Sequence, residues 1–416
     1  MNKTRLIYLS NQLTQTVMDS QVLNWLELIG EKGVISSLII ITPLSYLFKE
    51  NSTRKRKLDA ARSAVPGKVK QVFIPRANDR IGLSGFIVAL CLLIILFPYW
   101  LYQKKKVIIQ TRITSYSRIL NFVKHIYSNV HIIFDYRGAG AEEFLNNLGF
   151  DKISEVDNVK ISIEYQRRLK SEIQMVRISD SVFCVSNKLK QYALSNLNEA
   201  GRQDVKIIVV PGAADQNMFY VADQTRKRIR EKYDVGNKCV LIYTGKLTAK
   251  WHKREAIFKL VSVLMDDDED FFFMCITPDL KLAEKLALEY SLDSSKILIK
   301  FSEYKGIPNF LNAADLGIIL RDDIMTNRVA SPTKVPEYLL TGLPIIISRN
   351  IGDYSDFIFE HNLGIVIDDD QDLYLLKNKL KILQFDRHLI SKISQEKYSK
   401  QSQLDKIYES YRNYLD

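Results

Sequence analysis

Cysteine and histidine are scarce in this chain, with four of the first and five of the second among 416 residues. Cys91, Cys184, Cys239 and Cys275 show no Cys-x-x-Cys spacing, and each lies inside an apolar run. That pattern predicts reduced core thiols of a cytosolic protein rather than disulfides or metal ligands. The histidines are scattered and form no ligand pair, so no metal site is expected. A signal peptide is also missing from the reading, because Met1 to Ser10 has no long apolar core and runs into the strand-like Arg5-Leu-Ile-Tyr-Leu9. No internal repeat stands out.

What is present fits a two-domain globular protein, 46% hydrophobic and 26% charged. The charge is lopsided. Residues 1–220 hold 30 Lys and Arg against 18 Asp and Glu, and residues 221–416 hold 29 against 30, so the net +11 belongs to the N-terminal part. Arg54-Lys-Arg-Lys57 and Lys104-Lys-Lys106 are its densest runs. Such one-sided basic charge suits nucleic acid or an anionic membrane surface, or is a solvated face. No nucleic-acid motif accompanies it, and aromatics are not interleaved with the basic runs, so no nucleic-acid partner is expected.

Apolar strand-like runs alternate with helical patterns throughout, which predicts doubly wound parallel sheets. In the first half the strands are Arg5–Leu9, Ile35–Ile41, Val69–Ile74, Val107–Thr111, the run from Val130, and the runs near 180–188 and 207–219; helices are read over 19–30, 53–62, 115–127 and 159–178. Gly82 to Tyr102 is the most apolar stretch. It is long enough to span a membrane, for which about 20 apolar residues suffice. The strands before and after it read as neighbours in one parallel sheet, however, and a parallel connection returns to the same side. We therefore expect a crossover helix, buried on one face and touching lipid on the other, rather than a span. Gln224 to Lys232 reads as a polar hinge, and from Cys239 the alternation resumes.

Three stretches carry the chemistry. Ser331-Pro-Thr-Lys-Val-Pro-Glu-Tyr-Leu-Leu-Thr-Gly-Leu-Pro-Ile-Ile-Ile-Ser348 reads as a capped helix, a tight turn and a buried strand, with Ser331 as N-cap and Pro332 in the first turn. A helix start beside Asn327-Arg-Val-Ala330, with Thr333 and Lys334 in its first turn, would hold a diphosphate. Glu337, a turn further in, would reach a ribose hydroxyl. The second stretch is Phe134-Asp-Tyr-Arg-Gly138, which places Asp135 and Arg137 at the carboxyl edge of a strand. Gly138-Ala-Gly140 mimics a dinucleotide fingerprint, but Glu143 occupies its third small position and no acidic residue follows at the usual distance, so NAD binding is rejected. The third is Gly245-Lys246 at a strand end, with Lys250 and Lys253 following.

The 331–348 stretch resembles the C-terminal motif of family 4 retaining glycosyltransferases. Phe134, Asp135, Arg137, Gly138 and Glu143 resemble the Phe-Asp-x-Arg-Gly…Glu motif of glycosyltransferases that build bacterial surface polysaccharides. The resemblance implies the GT-B fold, α/β, with two doubly wound Rossmann-like domains facing across a cleft. It implies an N-terminal acceptor- and membrane-facing domain over 1–220, a nucleotide-sugar domain over 221–385, and helices over 386–416 that cross back to the first domain.

By the same resemblance, Gly245, Lys246, Lys250, Lys253, Arg328, Ser331, Pro332, Thr333, Lys334 and Glu337 would bind the donor, and Asp135 and Arg137 would orient or contact the acceptor. The implied reaction moves a sugar with retention from a nucleotide sugar to a glycan or lipid-linked acceptor. The departing phosphate helps deprotonate the acceptor, and no metal or other cofactor is implied. Cytoplasmic placement, peripheral on the inner face of the membrane, is the matching expectation. One departure stands out: the family often has a second Glu eight residues before the first, where this chain has Val329. A catalytically silent membrane-associated scaffold of the same fold is the alternative that this departure suggests.

Overall fold

The computed structural model describes residues 4–9, 35–43, 68–74, 83–101, 106–198, 205–248, 251–266, 270–368, 373–382, 384–412 and 414. The basic run 54–57, Lys104, Lys105 and Lys250, and the helices expected over 19–30 and 53–62, lie outside them. Contacts divide the chain into two units, one of 1–145, 152–210 and 404–416, the other of 146–151 and 211–403.

The first unit is built on strands β1 (Thr4–Leu9), β2 (Ile35–Pro43), β3 (Lys68–Ile74), β4 (Val107–Thr111), β5 (Val130–Tyr136), β6 (Ser181–Cys184) and β7 (Lys206–Val209), in the order β3-β2-β1-β4-β5-β6-β7. Every pairing is parallel. The strands beside the apolar stretch therefore share one sheet but are not neighbours, since β2 and β1 lie between β3 and β4. The sequence reading erred because chain order is not spatial order in a doubly wound sheet.

The connection is helix α1 (Leu83–Leu101). It buries Val88, Ala89, Leu92 and Leu96, and leaves Phe86, Leu90, Ile94 and Phe97 exposed along a second stripe at helical spacing. Helix α2 (Ser117–Ile126) packs beside it, and the Tyr127 hydroxyl just beyond α2 donates to the Leu93 carbonyl at 3.1 Å. Helices α3 (Gly140–Leu148), α4 (Val159–Ile178) and α5 (Asn187–Asn198) complete the windings described for this sheet. Among the described residues no helix is long and apolar enough to cross a membrane.

The second unit repeats the plan with strands β8 (Cys239–Thr244), β9 (Phe271–Ile276), β10 (Ile297–Lys300), β11 (Leu316–Ile319), β12 (Ile345–Ser348) and β13 (Gly364–Ile367), all parallel, in the order β10-β9-β8-β11-β12-β13. Runs such as Phe271–Ile276 and Ile345–Ser348 are buried at every position, as a sheet covered on both faces requires. The polar run read as a hinge is instead helix α6 (Asp223–Lys232). Arg226 and Arg230 anchor it, each donating to the Asp315 carboxylate, at 2.5 and 3.0 Å.

The remaining helices are α7 (Arg254–Met265), α8 (Leu280–Glu289), α9 (Ile307–Ala313), α10 (Met325–Arg328), α11 (Lys334–Leu340), α12 (Tyr354–Glu360), α13 (Leu373–Ile382), α14 (Arg387–Tyr398) and α15 (Lys400–Arg412). The end of the chain belongs to the first unit, where Tyr411 on α15 donates to the Gln110 side chain of β4.

Candidate functional site

In the second unit the carboxyl ends of β8 and β11 and the start of α11 converge. Gly245 follows β8 with φ +104°, a backbone shape that favours glycine. A Cβ there would stand 2.6 Å from Lys334 Cε and 2.7 Å from its Nζ. The missing side chain is therefore what lets Lys334 lie across the strand end. Lys334 Nζ sits 4.4 Å over the Tyr243 ring and donates to the Tyr243 hydroxyl at 3.3 Å. That hydroxyl donates in turn to the Lys246 carbonyl at 2.6 Å, with His252 Nδ1 3.1 Å away. Helix α11 is pinned by Tyr338, whose hydroxyl accepts from Thr244 N at 2.8 Å.

Arg321, just past β11, adds a second cation. Its NH1 donates to Asn327 Oδ1 at 3.2 Å, while its backbone N donates to Ser348 Oγ at 3.0 Å. Burial pushes the Arg321 guanidinium down to about 10, and no carboxylate among the described residues offsets it. Burial, reinforced by the Arg321 charge, pushes the Lys334 ammonium down to about 7, with Glu337 the carboxylate that opposes this among the described residues. His252 is pushed down to about 2 by burial, Lys334 and Arg321, so it is neutral. The site thus carries excess positive potential in a low-dielectric setting, which an anion would relieve.

Glu337, one turn along α11, is 7% exposed. Its Oε1 accepts from the Tyr304 hydroxyl at 3.1 Å, and burial pushes its carboxyl up to about 7 against that hydrogen bond and the charges of Lys334 and Lys400. Its other oxygen meets no donor among the described residues.

Several expected donor residues are placed differently. Helix α11 begins at Lys334 with Thr333 as N-cap, and no side chain caps it. Ser331 is not the cap, because its hydroxyl accepts from Gly212 N at 2.7 Å and donates to the Tyr354 hydroxyl at 3.0 Å. Pro332 precedes the helix rather than opening it, its carbonyl accepting from Val335 N at 3.2 Å. Arg328 is exposed and forks onto Asp323 at 2.7 and 2.9 Å. Lys253 Nζ lies 4.0 Å from Asp322 Oδ1. Lys246 is exposed. Val329 is buried, at 2% exposure. Arg321, Tyr304, Tyr243 and His252 were not singled out from sequence; only Arg321, a cation at a strand end like Lys246, had a readable signal.

In the first unit Asp135 is 2% exposed at the carboxyl end of β5. Its Oδ2 accepts from Arg112 Nε at 2.7 Å and its Oδ1 from Arg137 Nε at 2.6 Å. Burial would raise this carboxyl, but the two guanidiniums overcome it and hold it below the ordinary range. Asp135 is thus an ionised clamp between two arginines. The neighbouring Gly138-Ala-Gly140 turn is lined by carboxylates. Glu172 accepts from the Tyr136 hydroxyl and from Ala141 N, both at 2.7 Å, and burial pushes it up to about 7. Burial also raises Glu143. Carboxylates at this helix start disfavour a bound phosphate. Among the described residues no cluster of three His, Cys, Asp or Glu is poised to hold a metal.

With this geometry in hand, the chain compares as follows with known proteins. No family model matches it, and no curated protein matches it in sequence. Solved structures do match over nearly their whole length. HepE of Anabaena in complex with UDP and glucose aligns with a TM-score of 0.66 at 11% identity, covering 99% of this chain and 100% of that one. A glycosyltransferase of Rickettsia africae aligns with a TM-score of 0.69 at 17% identity, covering all of both chains. Sucrose-phosphate synthase of Thermosynechococcus elongatus aligns with a TM-score of 0.63 at 12% identity, covering 99% of each. The fold is GT-B. At these identities the likeness is one of architecture, and function must be argued from the site.

Proposed function

We propose that the chain is a glycosyltransferase that takes a sugar from a nucleotide-sugar donor held in the second unit. The observation that carries this reading is the Lys334 and Arg321 pair at the Gly245 strand end, two part-buried cations with Glu337 as the carboxylate that bears on them among the described residues. A nucleoside diphosphate is the matching ligand, and the HepE structure of the same fold contains UDP. Lys334 and Arg321 would stabilise the charge that builds on the diphosphate as the glycosyl–phosphate bond breaks, the role a metal plays elsewhere. Glu337, fixed by Tyr304 and with one oxygen open, would accept from a ribose hydroxyl. Transfer with retention and a glycan or lipid-linked acceptor rest on the resemblance of the 134–143 and 331–348 stretches.

We further propose attachment to an anionic bilayer through the first unit. Phe86, Leu90, Ile94 and Phe97 on α1 are 46 to 65% exposed, and Phe122 and Ile126 on α2 are 52% and 43% exposed. An exposed apolar surface on the basic part of the chain suits a membrane interface.

Thermal stability of the purified protein with UDP, and release of sugar from UDP-sugars, test the transferase reading. Stabilisation by UDP with slow donor hydrolysis supports it. Absence of both would refute it, whereas nucleotide binding with no turnover on any donor and acceptor would favour the silent scaffold that Val329 suggests.

A further inference from the structure

A pocket of about 550 Å³ opens near the carboxyl ends of α2 and α4 in the first unit, lined by Asn121, Lys124 and His125 on one side and Gln174, Arg177 and Ile178 on the other. Residues three and four apart share a helix face, so each helix turns one short row toward the other. The volume lies within the range of about 300–1,000 Å³ that holds small ligands. Lys124 is largely spent, since its Nζ donates to the Ile178 carbonyl and to Asp180 Oδ1, both at 2.8 Å, which leaves one N–H. His125 Nδ1 lies 2.8 Å from the Asn121 carbonyl. A carbonyl only accepts, so the ring donates there, and its neutral form keeps Nε2 as an acceptor. The side-chain amides of Asn121 and Gln174 make no hydrogen bond among the described residues.

The pocket therefore offers donors and acceptors together. A bare anion can use only the donors, and it meets the negative ends of two helix dipoles, whereas a hydroxyl both donates and accepts, so a vicinal diol matches a pair of amides. Phe122, one turn before Ile126 and three residues before His125, brings the exposed apolar surface of α2 to the pocket's edge. We propose that the pocket takes the headgroup of a hydroxylated anionic lipid, a phosphodiester bearing a vicinal diol as in phosphatidylglycerol, with the diol on Asn121 and Gln174 and the phosphate on the remaining Lys124 N–H. The adjoining Phe122 and Ile126 favour a lipid over a soluble sugar. The inference rests on the membrane reading, since it names the lipid chemistry recognised at that surface.

The test floats the full chain with phosphatidylcholine vesicles containing equal fractions of phosphatidylglycerol or of phosphatidylmethanol, which has the same charge and no diol. Phosphatidylglycerol should bind roughly 5- to 100-fold more tightly, as two neutral hydrogen bonds allow. Asn121→Ala with Gln174→Ala should erase that preference and leave phosphatidylmethanol binding and UDP stabilisation unchanged. Alanine suits both part-exposed helical positions, so the fold should hold, and each single variant should lose roughly 2- to 10-fold. Equal binding of the two vesicles by the parent, or a preference that survives the double variant, overturns the proposal. Ligand-observed NMR with glycerol phosphate, glucose and inorganic phosphate reads the pocket without a bilayer. Glycerol phosphate binding that the double variant loses supports the assignment, and glucose or inorganic phosphate binding as tightly overturns it. Flotation with no preference sinks this inference alone, whereas no flotation with either lipid sinks the membrane reading and this inference with it.

Discussion

Lys334→Met is the substitution that most sharply separates a donor site from an ordinary buried lysine. The ammonium is pushed from an ordinary 10.5 down to about 7. At about 1.36 kcal/mol per unit, its burial costs the ligand-free protein at most roughly 4–5 kcal/mol near neutral pH. Methionine removes that cost but also loses the stacking on Tyr243 and the bond to its hydroxyl, together about 1–2 kcal/mol. The variant should therefore be more stable than the parent by about 1–3 kcal/mol, or several degrees in Tm.

The sign with pH follows from the direction of the shift. A cation whose folded value is lowered is penalised fully below about 7, progressively less up to 10.5, and not at all above. The gain should be largest at pH 6–7, vanish about one unit below pH 10.5, where the remaining penalty equals the lost Tyr243 contacts, and reverse above that. Binding should invert the ranking. UDP at a hundred times its Kd stabilises the parent by about 2.7 kcal/mol, and Lys334→Met should lose most of that. Because a bound diphosphate keeps Lys334 protonated, parent affinity should also fall as pH rises through 7, by up to about tenfold per unit. Thermal unfolding with and without UDP across this range reads all three. A variant less stable than the parent at pH 6–7, or one that keeps full UDP stabilisation, would refute the reasoning.

Tyr304→Phe removes the hydrogen bond held by Glu337, and should weaken donor affinity by about 0.5–1.5 kcal/mol while raising the pH needed for binding, measured by titration with UDP. Gly245→Ala drives a methyl into Lys334 and should abolish UDP stabilisation, whereas Gly236→Ala, also at positive φ but with open space around it, should cost only about 1–2 kcal/mol and leave UDP stabilisation intact. EDTA should leave donor affinity and turnover unchanged, and inactivation reversed by manganese would count against charge stabilisation by Lys334 and Arg321. Phe86→Asp with Ile94→Asp should release the protein from anionic vesicles without altering UDP stabilisation, as read by flotation; equal flotation of the variant would sink the membrane assignment.

How much of this was readable beforehand depends on how local the determining interactions are. Strands β1 to β4 and helices α1, α2 and α4 were read within about two residues, since continuous β-branched runs and 3.6-residue patterns are properties of neighbouring residues. Lys334, Glu337, Gly245 and Asp135 were likewise named from short motifs. Ser331 was misassigned as a cap because its real partner, Gly212, lies 119 residues away, and no local pattern reports such a bond. Arg321 escaped notice for the same reason: a lone arginine after a strand becomes part of a site only when β11 lands beside β8. The polar run 224–232 looked like a hinge because its helix buries little apolar surface and is held instead by two arginines on the distant Asp315.

The second sheet also explains why cations accumulate where they do. Lys334 at the start of α11 and Arg321 just past β11 carry charge that the described residues compensate only in part. Such an arrangement works against stability, since part-buried like charges repel and lose hydration. A chain selected for stability alone would replace Lys334 with an apolar residue of similar length. It does not, whereas Arg226 and Arg230 are given the Asp315 carboxylate and the carbonyls of Ala313 and Ala314. The Lys334 and Arg321 deficit is of the kind that an anion would repay, which is the ground for proposing a donor site there.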